Sequence, residues 1–268
     1  MKVGSLFSGG CAGLEMGVEM AVPNATVRWQ CESDPRARTR LRRNFPEAAI
    51  YDDVHEVHGE TVEPVDLICG GFPCQPHSVA GRRRGTTDER WLWPEFERIV
   101  EEVGPSIVFG ENVPGLRTSG LREVLRGLAR LGFDAEWTCV SAAHAGAPHR
   151  RRRLFVLAYR DREQLRAQLG WRGWPRWQEA LFSAEPCPPW VAPDFNRPWR
   201  LQPGGGQQRQ WRWSRDGNGW SFESPVPGVV HGRTDGVDRE RFLGNACVPQ
   251  QAALALQILA AQALEGTT

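Results

Sequence analysis

Short apolar runs alternate with amphipathic stretches over the first 160 residues. Val3-Gly4-Ser5-Leu6-Phe7, Val27 to Cys31, Ala49 to Tyr51, Val65-Asp66-Leu67-Ile68-Cys69 and Ser106-Ile107-Val108-Phe109 read as short strands. Between them, residues Leu14 to Ala21, Pro35 to Asn44, Pro94 to Val103 and Leu121 to Leu131 read as helices. Strand–helix alternation of this kind predicts an α/β fold with a mostly parallel sheet. The last two strands, Ala135 to Val140 and Leu154 to Ala158, are joined by a connection without helical periodicity. Parallel neighbours need a crossover, so one antiparallel strand is expected there. From about Arg160 neither period survives, and residues 171 to 220 hold eight of the twelve tryptophans, many prolines and a glycine run at 204–206. Order returns near Arg239, and a final helix is expected from Val248 to Leu264, with Pro249 in its first turn, where a missing amide costs little.

Length and composition narrow the class. A chain of 268 residues can bury one large core with a small appendage. No apolar run approaches the ~18 residues of a membrane span and the start lacks a signal-peptide pattern, so a cytosolic location and no membrane partner are expected. Seven cysteines without paired CxxC spacing suggest neither a disulfide framework nor a zinc site, and no metal is expected. A net charge of +1 excludes a uniformly basic nucleic-acid binder. Lys2 is nevertheless the only lysine, and arginine forks, as in Arg82-Arg83-Arg84 and Arg150 to Arg153, grip phosphates and base edges well. A GC-rich genome would give the same bias.

The candidate chemistry gathers where strands end. Gly70-Gly71-Phe72-Pro73-Cys74-Gln75-Pro76 leaves a buried strand at the sheet edge where α/β folds bind ligands. Prolines on either side stiffen the loop around Cys74, which is either a nucleophile or one more small buried hydrophobe. Ser8-Gly9-Gly10-Cys11-Ala12-Gly13 lies between a strand and a helix, as in turns that approach nucleotide-like ligands. Glu32 ends the second strand, as a ribose acceptor or an exposed loop carboxylate, and Asp53 follows the third. Glu111-Asn112-Val113 puts a further carboxylate on the edge that carries Cys74. The tryptophan-rich stretch is a small core, a nucleic-acid surface, or both.

In the order Phe7-Ser8-Gly9, Glu32, Asp53, Pro73-Cys74-Gln75, Glu111-Asn112-Val113, His149 to Arg153 and Gly244-Asn245, the chain resembles the DNA cytosine-5 methyltransferases, in an arrangement like actinobacterial or phage-borne members. The likeness covers about residues 3 to 158 and 237 to 264. It implies a Rossmann-like, S-adenosylmethionine-dependent methyltransferase fold. The catalytic domain is then discontinuous, 1–159 with 237–268, and 160–236 forms a small irregular target-recognition lobe. It implies Cys74 as nucleophile toward cytosine carbon-6, Glu111 at ring nitrogen 3, Arg153 near the exocyclic oxygen and Arg151 assisting the loop and phosphates. For S-adenosylmethionine, with S-adenosylhomocysteine as product, it implies Phe7 and Gly9 on the methionine side, Glu32 at the ribose and Asp53 at the adenine amino group. Pro73, Leu92 and Asn245 complete that pocket, and the last helix returns to pack beside the first strand. The implied partner is double-stranded DNA with its target cytosine flipped out, and the expected enzyme is a monomer. Three departures stand out: the glycine turn is one residue longer than usual, His149 replaces a glutamine, and Arg152 replaces an acidic residue. An RNA cytosine-5 methyltransferase, a modified carbon donor and a non-catalytic binding protein are the competing readings.

Overall fold

The computed structural model describes residues 1–22, 24–73, 91–145, 150–172, 211–213, 220–222 and 247–266, of which 211–213 and 220–222 are backbone alone. β1 (Lys2–Leu6) turns into α1 (Gly13–Ala21), and β2 (Thr26–Cys31) leads through α2 (Pro35–Asn44) to β3 (Ala49–Tyr51). Then come β4 (Leu67–Gly70), α3 (Trp93–Val103), β5 (Ile107–Asn112), α4 (Leu116–Ser119) and α5 (Leu121–Arg130). β6 (Asp134–Ser141), β7 (Arg152–Tyr159), α6 (Arg162–Leu169), the short β8 (Trp211–Trp213) and β9 (Trp220–Phe222), and α7 (Pro249–Glu265) follow.

The seven-stranded sheet has the order β3-β2-β1-β4-β5-β7-β6. β1 pairs in parallel with β2 and β4, and the pairs β2–β3 and β4–β5 are parallel too. β7 runs against both β5 and β6, so a single strand is reversed, where the missing crossover predicts it. Helix ends follow local chemistry. Asp34 caps α2, its Oδ1 accepting from the amides of Arg36 (2.8 Å) and Ala37 (3.2 Å), with Pro35 next in the chain. Asp161 caps α6 in the same way through the amide of Gln164 at 2.7 Å.

Period-two alternation splits the strand side chains between two apolar layers. Val3, Leu67, Cys69, Ile107, Phe109, Phe155 and Leu157 join α1, α6 and α7 in one. Leu6, Ile68, Val108, Leu154, Val156 and Ala158 join α3 and α5 in the other, with Trp93, Phe96, Ile99 and Val100 forming the buried stripe of α3. The stretch after Arg160 shows no period by sequence, yet α6 forms there: its only apolar anchors, Leu165 and Leu169, are four residues apart and buried against α7. β8 and β9 pair antiparallel as a second small sheet in the same stretch.

Docking of α7 depends on two glycines one turn apart on α1. A Cβ at Gly13 would lie 1.9 Å from the carbonyl oxygen of Cys247, and one at Gly17 would lie 2.5 Å from the Ala252 Cβ. Only glycine admits so close an approach. The sequence reading sets this helix beside the first strand. It shares an apolar cluster with Val3 of β1, but it docks on α1, β6 and β7.

Candidate active site

The carboxyl ends of β1, β2, β4 and β5 face one edge, and β7 enters that edge from the opposite direction. Glu111, in β5, ion-pairs with Arg153 at the start of β7, Nε to Oε1 2.8 Å, with side chains only 12% and 17% exposed. Antiparallel register brings them together, since Glu111 stands opposite Phe155 and Asn112 opposite Leu154. Burial pushes the Glu111 carboxyl above its ordinary range, and the nearby Arg153 and Arg151 guanidinium groups counter only part of that. Such an acid holds or gives a proton more readily near neutrality than an exposed one.

The loop after β4 is tied to the same carboxylate. A Cβ at Gly71 would come 3.0 Å from Glu111 Oε2, so glycine leaves room for the acid. The buried Asn112 donates through Nδ2 to the carbonyl oxygen of Phe72 at 3.0 Å and accepts from the amide of Val113 at 2.9 Å. Phe72 sits edge-on to Trp91 at 5.5 Å and tilted against Trp93 at 5.3 Å, which anchors the loop from below. Leu92 lies between those two tryptophans at the N-terminus of α3, and Pro73 is half-buried at the end of the described loop. Cys74 lies outside the described residues, as do Asn245, His149 and the arginines at 82–84.

Arg151 is held through its backbone. Gln251 of α7 is buried and donates from Nε2 to the carbonyl oxygens of Arg151 (2.7 Å) and Val140 (2.9 Å). The Ser141 hydroxyl donates to the carbonyl of Arg150. Burial and the neighbouring Arg153 press the Arg151 guanidinium below its ordinary value, while Glu111, Cys247 and Cys11 act the other way. The thiols of Cys11, Cys69 and Cys247 are pushed up by burial, and that of Cys31 up to about 12, which favours the protonated thiol at each.

Glu32 and Gly9 meet at the neighbouring part of the edge. Glu32 Oε2 accepts from the amide of Gly9 at 2.7 Å, and Oε1 from the amide of Asp34 at 2.8 Å. Phe7 (φ 58°) and Ala12 (φ 46°) both adopt the left-handed region within this turn. Among the described residues nothing lies within 4 Å of where a Cβ at Gly9 would stand, which leaves that side of the turn open. Asp53 caps the turn at Val54–Glu56, its Oδ1 accepting from the His55 amide at 2.9 Å and lying 2.8 Å from His55 Nδ1. Arg98 of α3 fixes that turn by donating to the carbonyls of Val54 (3.2 Å) and Val57 (3.0 Å). Thus the structure joins Glu111 with Arg153 and Gly9 with Glu32, and leaves Asp53 on its own turn.

Gln251, Arg98 and the bonding role of Asn112 escape the sequence reading. A glutamine inside the run of alanines and leucines in α7 is the signal that could have exposed the first. Among the described residues no cluster of His, Cys, Asp or Glu could hold a metal ion, and no helix is long and apolar enough to cross a membrane.

A family model described as C-5 cytosine-specific DNA methylase matches residues 1–186. The chain is 30% identical over 212 residues to the type II methyltransferase M.NgoMIV of Neisseria gonorrhoeae, covering 68% of this chain and 67% of that protein. It is 31% identical over 160 residues to M.MspI of Moraxella sp, covering 58% of this chain but only 37% of that protein. Against the structure of the S. pombe Dnmt2 methyltransferase the TM-score is 0.51 at 21% identity, covering 69% of this chain and 56% of that one, a likeness of fold. Entamoeba histolytica methyltransferase EhMeth gives 0.53 at 22% identity, over 60% and 53%.

Proposed function

The chain belongs to the C-5 cytosine-specific DNA methylase family, and from that premise we propose that it transfers a methyl group from S-adenosylmethionine to carbon-5 of a cytosine in double-stranded DNA, through a covalent bond to Cys74. The observation that carries this reading is the buried Glu111–Arg153 pair standing against Gly71, in the loop that runs directly into Pro73-Cys74.

The cofactor-side residues fit such a ligand: among the described residues one side of the turn at Gly9 is open, and the Glu32 carboxylate is held at the rim of that turn. Phe7 and Gly9 would face its methionine part, Glu32 the ribose hydroxyls, and Asp53 the adenine amino group, with Pro73, Leu92 and Asn245 closing the pocket. Bound there, the cofactor supplies an electrophilic methyl carbon and is left as S-adenosylhomocysteine.

The chain's own residues act on the base. A cytosine in a duplex hides carbon-6, so the target is flipped into the site. The Cys74 thiolate forms a bond from sulfur to carbon-6. Glu111 holds or protonates ring nitrogen 3 and so stabilises the charge that addition places on the ring, while Arg153 lies by the exocyclic oxygen. Once carbon-5 carries the methyl group, its proton is lost, that electron pair closes the carbon-5–carbon-6 double bond, and the carbon–sulfur pair returns to Cys74. Arg151 braces the loop and phosphates. Target choice falls to the region 160–236, and the enzyme works as a monomer in the cytosol of a bacterium or an infected host.

The test incubates the full chain with labelled S-adenosylmethionine and either duplex DNA or RNA, then maps the modified base. Label at cytosine carbon-5 of DNA is expected. Duplex carrying 5-fluorocytosine should trap the protein at Cys74, and Cys74→Ser should lose transfer while still binding cofactor. Label on RNA alone, or near-normal transfer by Cys74→Ser, would overturn the reading.

A further inference from the structure

Glu15 has no part in the chemistry above, yet it is fully buried (0% exposed) in the first turn of α1. Its Oε1 accepts from the Ser5 hydroxyl at 2.6 Å and from Gln30 Nε2 at 3.1 Å, which joins α1 to β1 and β2. The Ser8 hydroxyl donates to Ser5 Oγ at 2.9 Å, so the chain of bonds continues into the turn that carries Phe7 and Gly9. Glu15 Oε2 is buried without a hydrogen-bond partner. A carboxyl placed so deep is expensive unless something depends on it.

The turn it reaches needs support. Phe7 and Ala12 hold left-handed backbone conformations that non-glycine residues seldom adopt, and such residues persist only where their surroundings over-determine them. One clamp acts from the rim, the Glu32 carboxylate on the Gly9 amide. The Ser8 amide adds another, donating to the carbonyl of Cys31 at 3.1 Å. From beneath, the relay Glu15–Ser5–Ser8 supports the turn.

We propose that Glu15 is the positioning residue of the cofactor turn: with Ser5, Ser8 and Gln30 it forms a buried hub that presets the turn from Phe7 to Ala12 for S-adenosylmethionine. This rests on the cofactor reading given above. Burial outweighs the hydrogen bonds the carboxyl receives and pushes Glu15 up, toward its protonated form. The charged or titratable groups around it are Glu19 on α1, Cys69 on β4, Cys11 in the turn and Cys247 before α7. A glutamine keeps the oxygen that accepts from Ser5 and Gln30 and can replace it, whereas a methyl group cannot.

The experiment measures S-adenosylmethionine binding by calorimetry, and KM and kcat for methyl transfer to DNA, in the full-length wild type, Glu15→Gln, Glu15→Ala and Ser8→Ala. Glu15→Gln should bind within about twofold of wild type. Glu15→Ala should bind about tenfold more weakly, the equivalent of one lost hydrogen-bonded partner, with KM raised and kcat at saturating cofactor nearly unchanged. Ser8→Ala, which cuts the relay outside the core and spares the fold if Glu15→Ala does not, should raise KM several-fold. Wild-type affinity in both Glu15→Ala and Ser8→Ala, or equal loss of kcat at constant KM, overturns the proposal. So does a Glu15→Gln protein as weak as Glu15→Ala. A wild-type chain that fails to bind S-adenosylmethionine at all overturns the cofactor reading, and the hub with it.

Discussion

Replacing Asn112 by Asp separates the bond that ties the loop after β4 to β5, through Phe72, from the local bond to Val113. An aspartate keeps an oxygen for the Val113 amide at 2.9 Å but turns the donor facing the Phe72 carbonyl at 3.0 Å into a second acceptor. Asn112 and Phe72 are each 4% exposed, so the stranded carbonyl has little access to water. Losing that bond and leaving a buried acceptor unsatisfied costs about 1–3 kcal/mol, and Asn112→Ala, which strands the Val113 amide as well, about 2–4 kcal/mol. Both remain within the ~5–15 kcal/mol that holds a typical domain, so folded protein is expected with the melting temperature lowered by a few degrees per kcal/mol. Chemistry should suffer more than folding. A displacement of about 1 Å in a reacting group can cost on the order of 100-fold, so covalent trapping on 5-fluorocytosine duplex should slow by roughly that factor in both variants. Stopped reactions resolved on denaturing gels give the trapping rate, and calorimetry gives cofactor affinity, which should change less than about threefold. A folded Asn112→Asp protein that traps DNA within twofold of the wild-type rate would show that this bond does not place the nucleophile.

Glu111→Gln should remove a pH dependence. Burial raises the Glu111 carboxyl above its ordinary 4.5, so its contribution to stability is fully present below that value and is lost as pH rises through the higher folded value. Wild type should therefore lose stability relative to Glu111→Gln as pH climbs from that range toward neutrality, as paired thermal melts across pH 4 to 8 would show; the opposite trend would mean that the Arg153 pair outweighs burial. Gly13→Ala, with its new carbon 1.9 Å from a backbone oxygen, should destabilise by about 1–3 kcal/mol in urea titrations even though alanine favours a helix by about 1 kcal/mol. A more stable Gly13→Ala protein would show that α7 can move away without loss.

Sequence and structure agree best where one period dominates. The strands from Val3 to Phe109 alternate or run apolar, and their order sets Glu32, Asp53 and Glu111 along one edge. α1 behaves differently. In Gly13-Leu14-Glu15-Met16-Gly17-Val18-Glu19-Met20 the helix buries Glu15 completely and leaves Met16 and Met20 36% and 49% exposed. Close approach of α7 at Gly13 and Gly17 fixes which face turns inward, and that contact comes from a helix more than 200 residues later, beyond the reach of a local pattern. Gln251 is hidden for a related reason, since its partners are carbonyl groups, which no side-chain pattern reports. In the stretch after Arg160, α6 has two apolar anchors in eight residues, too few to stand out from a polar background.

The late return of α7 also sets a schedule for synthesis. β7 ends at Tyr159 and α7 begins at Pro249, so about 90 residues separate the last strand of the large sheet from the helix that covers it. At ~5–20 residues per second the ribosome takes roughly 5–20 s to make them, and for that interval the apolar surfaces destined for α7 on α1, β6 and β7 are uncovered. Arg151 likewise waits for Gln251. A nascent chain therefore completes its large sheet well before the helix that covers it, and its apolar surface is most exposed in those same seconds.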